Sequence, residues 1–323
     1  MKFSLVLVIA LASYAVGSIA APPDLATPTA ALPGLGNSGP LKVNCGGKAA
    51  KGTFTTIAAA ISSLQSRGSG GQNSITVSGA CNENVVIQSM DRLTLTANPG
   101  ASITDASGGN AFVIAVLDSR GVSINNFTIS GDGIICSDGS LCHLNGNNIT
   151  AFGVAIHVEM SQAVVTGGSV QGADFAAINV INGSRAEVTG VMITNNPGNG
   201  IQVLAQSFVV TDSTISNNGG AGAFITHNGM LRCVGCQITG NGAQGVIVKR
   251  DSSARFQQPY VITGNTNGGV QITESSSAYF STPGTVTGNP GGMDVVCGSS
   301  FATARGATVN IGGGTTNCTE PPE

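Results

Sequence analysis

A segment of about 23 residues recurs along the second half of the chain, and this internal period restricts the possible folds more than any other feature. Successive copies begin 22 to 24 residues apart, at Ser161, Ser184, Ser207, Gly229, Ser252, Ser276 and Ser300. An earlier copy begins at Ser119, 42 residues before Ser161. The extra length predicts an insertion between about Gly131 and Asn148, which is either a lid over a groove or a surface loop and contains His143.

Each copy contains three short runs in which apolar and polar residues alternate. The first run follows the initial serine, the second has the form x-Ile-Thr, and the third has the form Gly-apolar-x-apolar, as in Gly200-Ile-Gln-Val. Alternation with a period of two predicts strands that bury one face. Three strands joined by tight turns make one coil, and stacked coils bury a continuous apolar column.

Asparagines recur at the turn between the second and third runs with the same period. They stand at Asn196, Asn218, Asn241, Asn265 and Asn289. Asparagine tolerates the left-handed backbone of a tight turn. Stacked in register, its amide can also bond the asparagine of the next coil, so the spacing predicts a ladder.

The period of the repeat selects among the solenoid folds. A left-handed hexapeptide helix needs about 18 residues per coil and a six-residue repeat, and a leucine-rich repeat needs its Leu-x-x-Leu-x-Leu signature; neither is present. The sequence resembles the pectin-lyase-like superfamily from about Asn44 to Gly314, in its repeat architecture alone. The resemblance implies an all-β, single-stranded, right-handed parallel β-helix of about ten coils.

One end of such a helix needs a cap, because it exposes apolar core and strand edges. Phe54, Ile57, Ile61 and Leu64 fall on one helical face, which predicts a short N-terminal capping helix. We expect residues 1–20 to be a signal peptide, because Lys2 precedes an apolar run and a small-residue cleavage site. We expect residues 21–43 to be a Pro/Ala-rich linker and residues 44–323 to be one β-helix domain. The expected localisation is therefore secreted, whether extracellular, periplasmic or at the cell surface, with no membrane contact after cleavage.

Eight cysteines in an exported chain predict disulfides. Sequence order suggests the pairs Cys45 with Cys81, Cys136 with Cys142, and Cys297 with Cys318. The last pair could staple the final segment across the open coil. Cys233 and Cys236 stay open between a disulfide, free thiols and metal ligands.

Charge is sparse, with 9% charged residues and a formal net charge of −3, where a soluble domain has about 25% charged residues. A chain without clustered Lys or Arg is not expected to bind nucleic acid. We expect a polysaccharide partner and a monomer. No cofactor is predicted; Ca²⁺ is conceivable, but the predicted groove carries no acidic cluster.

In pectin-lyase-like enzymes the substrate groove usually follows the outer face of the strand equivalent to the third run. Titratable side chains concentrate there on three successive coils: His227, Lys249, Arg250 and Glu274. A lyase or epimerase of acidic glycans needs a cation for the uronate carboxylate and a base for the C5 proton. These four residues are therefore the candidate catalytic group. The alternative is a solvated salt-bridge strip with Arg250 opposite Glu274.

Further polar residues could line the same groove. His157 and Glu159 face outward three coils before His227, and Asp174 lies near the following turn. Together with Gln202 and Gln271 they are the candidate substrate-binding residues. The alternative is that they are isolated exposed polar groups.

A further outward column belongs to the first run and holds Glu187, Val210, Arg232, Arg255 and Tyr279. Arg232 and Arg255 are expected to be neighbours, and such a pair of like charges hints at an anion site. The alternative is that the flexible guanidinium groups splay into water.

Motifs of the known enzymes are missing. The chain has no Trp and no paired carboxylates before successive third runs, which disfavours a two-carboxylate hydrolase. Three hypotheses remain: a polysaccharide lyase or epimerase, a non-catalytic adhesin or carbohydrate-binding β-helix, and a small-molecule isomerase or cyclase. Convergence of the four candidate catalytic residues in a concavity favours an enzyme, whereas a flat wall favours a binding or structural role.

Overall fold

The computed structural model describes residues 40–48, 50–66, 73–299 and 301–319. The predicted signal peptide and most of the linker lie outside these residues. Leu41–Asn44 is a strand, so the folded part includes Leu41 to Val43, which the sequence analysis assigned to the linker.

The described chain is a parallel β-helix of ten complete rungs, as the repeat predicted. Each rung contributes one strand to each of three sheets, and equivalent strands of adjacent rungs pair in parallel. The first sheet consists of Leu41–Asn44, Thr53–Phe54, Asn73–Ser78, Leu93–Ala97, Val122–Asn125, Leu141–Asn145, Gln162–Thr166, Arg185–Thr189, Phe208–Thr211, Met230–Val234, Ser253–Gln257, Ser277–Phe280 and Thr303–Arg305.

The other two sheets contain ten strands each. The second sheet consists of Ala80–Asn82, Ser102–Thr104, Thr128–Ser130, Asn148–Thr150, Ser169–Gln171, Met192–Thr194, Thr214–Ser216, Gln237–Thr239, Val261–Thr263 and Thr285–Thr287. The third sheet consists of Val85–Gln88, Ile114–Leu117, Ile134–Ser137, Val154–Glu159, Ala176–Ile181, Asn199–Leu204, Ala223–Thr226, Val246–Val248, Val270–Ile272 and Val295–Cys297.

The predicted insertion between Gly131 and Asn148 is wrong, because those residues belong to regular rungs. Leu141–Asn145 is a strand of the first sheet and pairs with strands on both sides. The spacing of 42 residues is therefore two rungs of 21, and Ser140 begins the copy that the alignment missed. His143 lies within this strand and neither covers a groove nor sits in a loop.

The predicted asparagine ladder runs through five buried side chains. Each amide Nδ2 donates to the Oδ1 of the asparagine on the next rung, at 2.8 to 3.0 Å from Asn196 to Asn289. The backbone N–H of each asparagine donates to the same oxygen as its amide, which for Asn289 is Asp294 Oδ1. Asn289 donates to Asp294 Oδ1 at 3.0 Å, so a carboxylate ends the ladder.

Burial alone would raise the pKa of Asp294, but hydrogen bonds from Thr315 and Asn289 lower it overall.

A second ladder, of serines, explains the serine that begins most copies. These side chains are buried, and each hydroxyl accepts the backbone N–H of the preceding rung's first residue at 3.0 to 3.2 Å. Ser140, for example, accepts from Ser119, and Ser161 accepts from Ser140. The repeat in the sequence identified these positions, but it did not show that the hydroxyls accept backbone N–H groups.

The glycine of the third run is required by the asparagine ladder. A Cβ at Gly200 would lie 2.5 Å from Ile215 Cγ2 and 3.2 Å from Asn218 Nδ2. A Cβ at Gly222 would lie 2.4 Å from the equivalent methyl group of Ile238. The backbone therefore passes directly over the core at this turn, and a side chain does not fit.

The N-terminal cap is the helix Ile57–Gln65. Ile57, Ile61 and Leu64 are buried as predicted, while Phe54 lies in the preceding short strand and is partly buried. The Thr56 hydroxyl accepts from Ala59 N.

Four disulfides join all eight cysteines. They link Cys45 to Cys81, Cys136 to Cys142, Cys233 to Cys236, and Cys297 to Cys318. The three suggested pairs are confirmed, and the open question at Cys233 and Cys236 is resolved as a disulfide. At the C-terminal end, Val295 N donates to Thr315 O and Cys297 N donates to Asn317 Oδ1. The last segment thus lies against the final strand of the third sheet, beside the disulfide that was expected to staple it.

Candidate functional site

Three of the four residues predicted to be catalytic form one chain of contacts. Arg250 Nη1 lies 2.9 Å from His227 Nε2, and Arg250 Nε lies 3.3 Å from Glu274 Oε2. They lie on the turns that follow the third-sheet strands, where two consecutive residues adopt left-handed backbone on each rung, as His227 and Asn228 do. All three side chains are at least partly exposed.

The contacts of this strip leave little capacity for proton transfer. Because a guanidinium can only donate, His227 Nε2 accepts from Arg250. His227 Nδ1 then carries the proton and donates to Thr226 Oγ1 at 3.2 Å. The lone pair that a general base would use is thereby occupied. Lys249 is not part of the chain, since its Nζ lies 4.8 Å from the centre of the Phe224 ring.

The strip lines neither of two cavities found among the described residues. One shallow cavity of about 310 Å³ is lined by Arg120, Met160 and their neighbours, and another of about 370 Å³ lies between the capping helix and Gln88. Neither includes a residue of the strip. The exposure of these side chains and the ion pair between Arg250 and Glu274 favour the alternative of a solvated salt-bridge strip over catalysis by these four residues.

A better-formed polar cluster lies upstream on the third sheet. Strand pairing places His157, Asn179 and Gln202 in one outward column on three successive rungs. Asn179 Nδ2 lies 3.1 Å from His157 Nδ1, and His157 Nε2 lies 3.6 Å from Glu159 Oε2. Asn182 Nδ2 donates to Glu159 Oε1 at 2.8 Å. The predicted residues His157, Glu159 and Gln202 are thus brought together, and Asn179 is the member that sequence reasoning missed.

Two oxygen atoms of this cluster are buried without a hydrogen-bond partner among the described residues. They are Asn179 Oδ1 and Gln202 Oε1. Asn179 is 6% exposed and Gln202 is 5% exposed, although both face outward from the sheet. An unsatisfied buried acceptor costs roughly 1–3 kcal/mol. The column therefore holds two acceptors that neighbouring atoms cover and that no described group satisfies.

Burial also sets the protonation of His157. Its surroundings lower the pKa of His157 below the ordinary value of 6.5, and the nearby Glu159 carboxylate only partly opposes this effect. The imidazole is therefore neutral at pH 7. In that state Nδ1 can accept from Asn179 while Nε2 carries its proton toward Glu159.

Aromatic side chains border the cluster. The Phe112 ring lies 5.9 Å from the His157 ring, centre to centre. Phe112 ends the loop after Ser102–Thr104, which Asp105 organises by accepting from Asn84, Ser107 and Gly109. Those hydrogen bonds outweigh the effect of burial and hold the pKa of Asp105 well below its usual range. Phe152 and Phe175 are 64% and 55% exposed on the turns that lead into the same sheet.

The two remaining predicted binding residues, Asp174 and Gln271, lie apart from His157, Asn179 and Gln202. Asp174 is exposed on the turn beside Phe175. Gln271 lies in the same outward column, three rungs after Gln202, but its Oε1 accepts from Gln244 Nε2 at 2.9 Å. Gln271 therefore has the partner that Gln202 lacks.

Among the described residues, one group of three potential metal ligands converges: Cys45, Cys81 and Glu83. Both sulfurs are bonded to each other in a disulfide. The Glu83 carboxylate accepts from the backbone N–H groups of Ile57 and Ala58 at 2.8 and 3.1 Å. This group therefore stabilises the cap and does not provide a metal centre.

A family model described as a right-handed β-helix region matches residues 112–283. The match supports the predicted handedness and repeat architecture. No curated protein and no solved structure matches the chain. No helix in the described part is long and apolar enough to span a membrane.

Proposed function

The chain belongs to the right-handed β-helix family, and on that premise we propose that it is a secreted protein that binds a polysaccharide along the outer face of its third sheet. The glycan lies over His157, Asn179 and Gln202. Rungs repeat every ~4.8 Å, which is close to the length of one sugar residue in an extended chain. The eight cysteines, all in disulfides, support export to an oxidising compartment.

The observation that carries this proposal is the pair of buried acceptors, Asn179 Oδ1 and Gln202 Oε1. A sugar hydroxyl that displaces the side chains covering such an oxygen donates to it and relieves the cost of burying it. The exposed rings of Phe152 and Phe175 offer apolar faces at the entry to the same sheet. Pockets for small polar ligands combine these two features, apolar walls and a few placed polar groups.

The charge of this face indicates the type of glycan. The strands of the third sheet contain no Lys or Arg, and one of them carries Glu159. Two cations on the turns after third-sheet strands, Lys249 and Arg250, are engaged by Phe224 and by His227 with Glu274. A stretch of sugar rich in hydroxyl groups suits this face better than one that bears carboxylates.

Affinity measurements with a panel of neutral and acidic polysaccharides test the proposal. Asn179→Leu and Gln202→Met remove the acceptors at similar volume, and we expect each to weaken binding of a neutral glycan roughly tenfold. Gln202→Met should not lower the free energy of unfolding, because the oxygen it removes has no partner. Gln271→Met is the matched control in the same column and should keep wild-type affinity. Wild-type affinity in both site variants would refute the proposal.

A second candidate function is a lyase or C5-epimerase that uses His157 as its base after the substrate displaces the Asn179 amide from Nδ1. The observation that favours it is the buried, neutral imidazole beside Glu159. Formation of unsaturated products, or exchange of the C5 hydrogen with solvent deuterium, would reveal the activity on uronate polymers. His157→Gln should then abolish turnover while glycan binding is retained, and His227→Gln should leave turnover unchanged. If no polymer of the panel gives unsaturated products or hydrogen exchange, binding remains the proposed function.

A further inference from the structure

Positive charge in this molecule is segregated by sheet. Every Lys or Arg that lies in a described strand belongs to the first sheet, and the second-sheet strands carry no charged residue at all. Arg232, Arg255, Tyr279 and Arg305 face outward at paired positions on four successive strands of the first sheet. We call these four residues the arginine ladder. The sequence predicted its first three members, and Arg305 extends the column by one strand.

The ladder has no counter-charge in contact with it. The ion pairs among the described residues involve Arg92, His157 and Arg250, and none involves an arginine of the ladder. The four strands contain no acidic residue. The closest acids in sequence, Asp251 and Glu274, lie on preceding turns, and Glu274 already pairs with Arg250. Three positive charges therefore line one face of a chain whose formal net charge is −3.

Neutral contacts hold the guanidinium groups in place. The Tyr279 ring lies between Arg255 at 5.1 Å and Arg305 at 5.9 Å. Arg232 Nε donates to Gln257 Oε1. Such contacts restrict the side chains without neutralising them. Like charges directly opposite each other destabilise a sheet, so sheet stability does not account for Arg232 facing Arg255.

We propose that the arginine ladder binds a linear anionic polysaccharide, separately from the third-sheet site. Neighbouring rungs are ~4.8 Å apart, so acidic groups carried on successive sugars meet successive rungs. The planar guanidinium matches carboxylate or sulfate oxygens with two parallel hydrogen bonds. Three arginines are too few for duplex DNA, whose binding proteins make about 6–10 phosphate contacts.

The experiment measures binding of the full chain to polygalacturonate, to heparin and to neutral dextran over a range of salt concentrations. Polygalacturonate and heparin distinguish carboxylate from sulfate as the anion. We expect both to bind at low salt and to be released as salt screens the charges, while dextran shows no such salt dependence. The variant Arg232→Gln/Arg255→Gln/Arg305→Gln should bind the anionic polymers roughly tenfold or more weakly.

Two controls separate this site from general charge and from the third-sheet site. Arg92→Gln/Arg120→Gln/Arg185→Gln removes the same number of charges elsewhere and should retain most of the affinity. Asn179→Leu/Gln202→Met should bind anionic polymers as the wild type does, even if the function proposed for the third sheet fails. Circular dichroism and thermal unfolding verify that each variant is folded.

Three results would overturn the inference. The first is equal loss of affinity in the two arginine triple variants, which would indicate nonspecific attraction. The second is no salt-dependent binding of either anionic glycan by the wild type. The third is tighter binding of a short DNA duplex than of either glycan, which would assign the ladder to nucleic acid.

Discussion

At the scale of single residues, buried side chains satisfy the backbone at each turn of the rungs. Asparagine amides and serine hydroxyls accept N–H groups that have no strand partner, one rung after another. A buried donor left without an acceptor costs free energy, so each member supports the rung before it. Asn179 and Gln202 are among the exceptions; their oxygens serve no such purpose, and because they lie in one column of the third sheet they mark the candidate site.

Asn241→Ala tests the asparagine ladder. It removes the oxygen that accepts from both Asn218 N and Asn218 Nδ2, and we expect the free energy of unfolding to fall by about 2–4 kcal/mol. Asn267→Ala, at an exposed turn position of the next rung, should change it by less than about 0.5 kcal/mol. Denaturant unfolding measures both. Equal effects would show that the ladder does not stabilise the stack.

The protonation of His157 gives a pH dependence with a defined sign. Because its folded-state pKa lies below the ordinary 6.5, the unfolded chain binds the proton more tightly than the folded chain. The contribution of His157 to stability is therefore fully present above about pH 6.5 and is lost as the pH falls through the folded-state pKa. NMR titration of the imidazole should give a midpoint below 6.5.

His157→Gln should remove this part of the dependence, as seen in unfolding free energies measured between pH 7 and pH 5. His143→Gln, which retains His157, should keep it. A His157 midpoint above 6.5 would contradict the burial that the structure shows.

At the scale of elements, each end of the stack has its own closure. The helix Ile57–Gln65 covers the N-terminal end, and its first N–H groups are satisfied by Thr56 and by Glu83 of the first rung. The C-terminal segment lies against Val295–Cys297, with the disulfide from Cys297 to Cys318 at its end. Exposed strand edges invite association between chains, so both closures protect the stack.

Glu83→Gln tests the connection between the helix and the first rung. Loss of the carboxylate at the helix N-terminus should destabilise the cap by about 1 kcal/mol. Hydrogen exchange of the amides of Ile57 to Leu64 should become faster, with little change in the central rungs. Asp91→Asn, which removes a carboxylate paired only with its neighbour Arg92 at the surface, is the control and should not affect these amides.

At the scale of the whole molecule, the stack is a one-dimensional array in which each rung contacts its neighbours. Equivalent positions therefore form columns, and the faces of the molecule differ in character. The first sheet carries the arginine ladder, the second-sheet strands are uncharged, and the third sheet carries the unsatisfied acceptors. One architecture thus carries two separate faces for which we propose binding.

Cys297→Ser/Cys318→Ser tests how the array depends on its C-terminal end. The disulfide closes a separation of 21 residues, and its loss should reduce stability by about 3 kcal/mol or less. Limited proteolysis should then cut first in the C-terminal segment, while the central rungs stay resistant. Cleavage that begins in the central rungs would show that the end does not protect the stack in this way.

The sequence by itself determined the repeat, the three strands of each rung, the asparagine ladder and the cap, because these depend on local alternation and on a period that the chain repeats many times. The predicted insertion between Gly131 and Asn148 was wrong, because rungs of 21 residues obscured the period. Asn179 was not among the candidate binding residues. Which outward side chains have hydrogen-bond partners could be seen only in the folded structure. His227 is occupied by Arg250 and Gln271 by Gln244, whereas Asn179 and Gln202 are buried without a partner for one oxygen each. Such contacts join side chains more than 20 residues apart through the conformation of turns, and residue spacing alone does not encode that geometry.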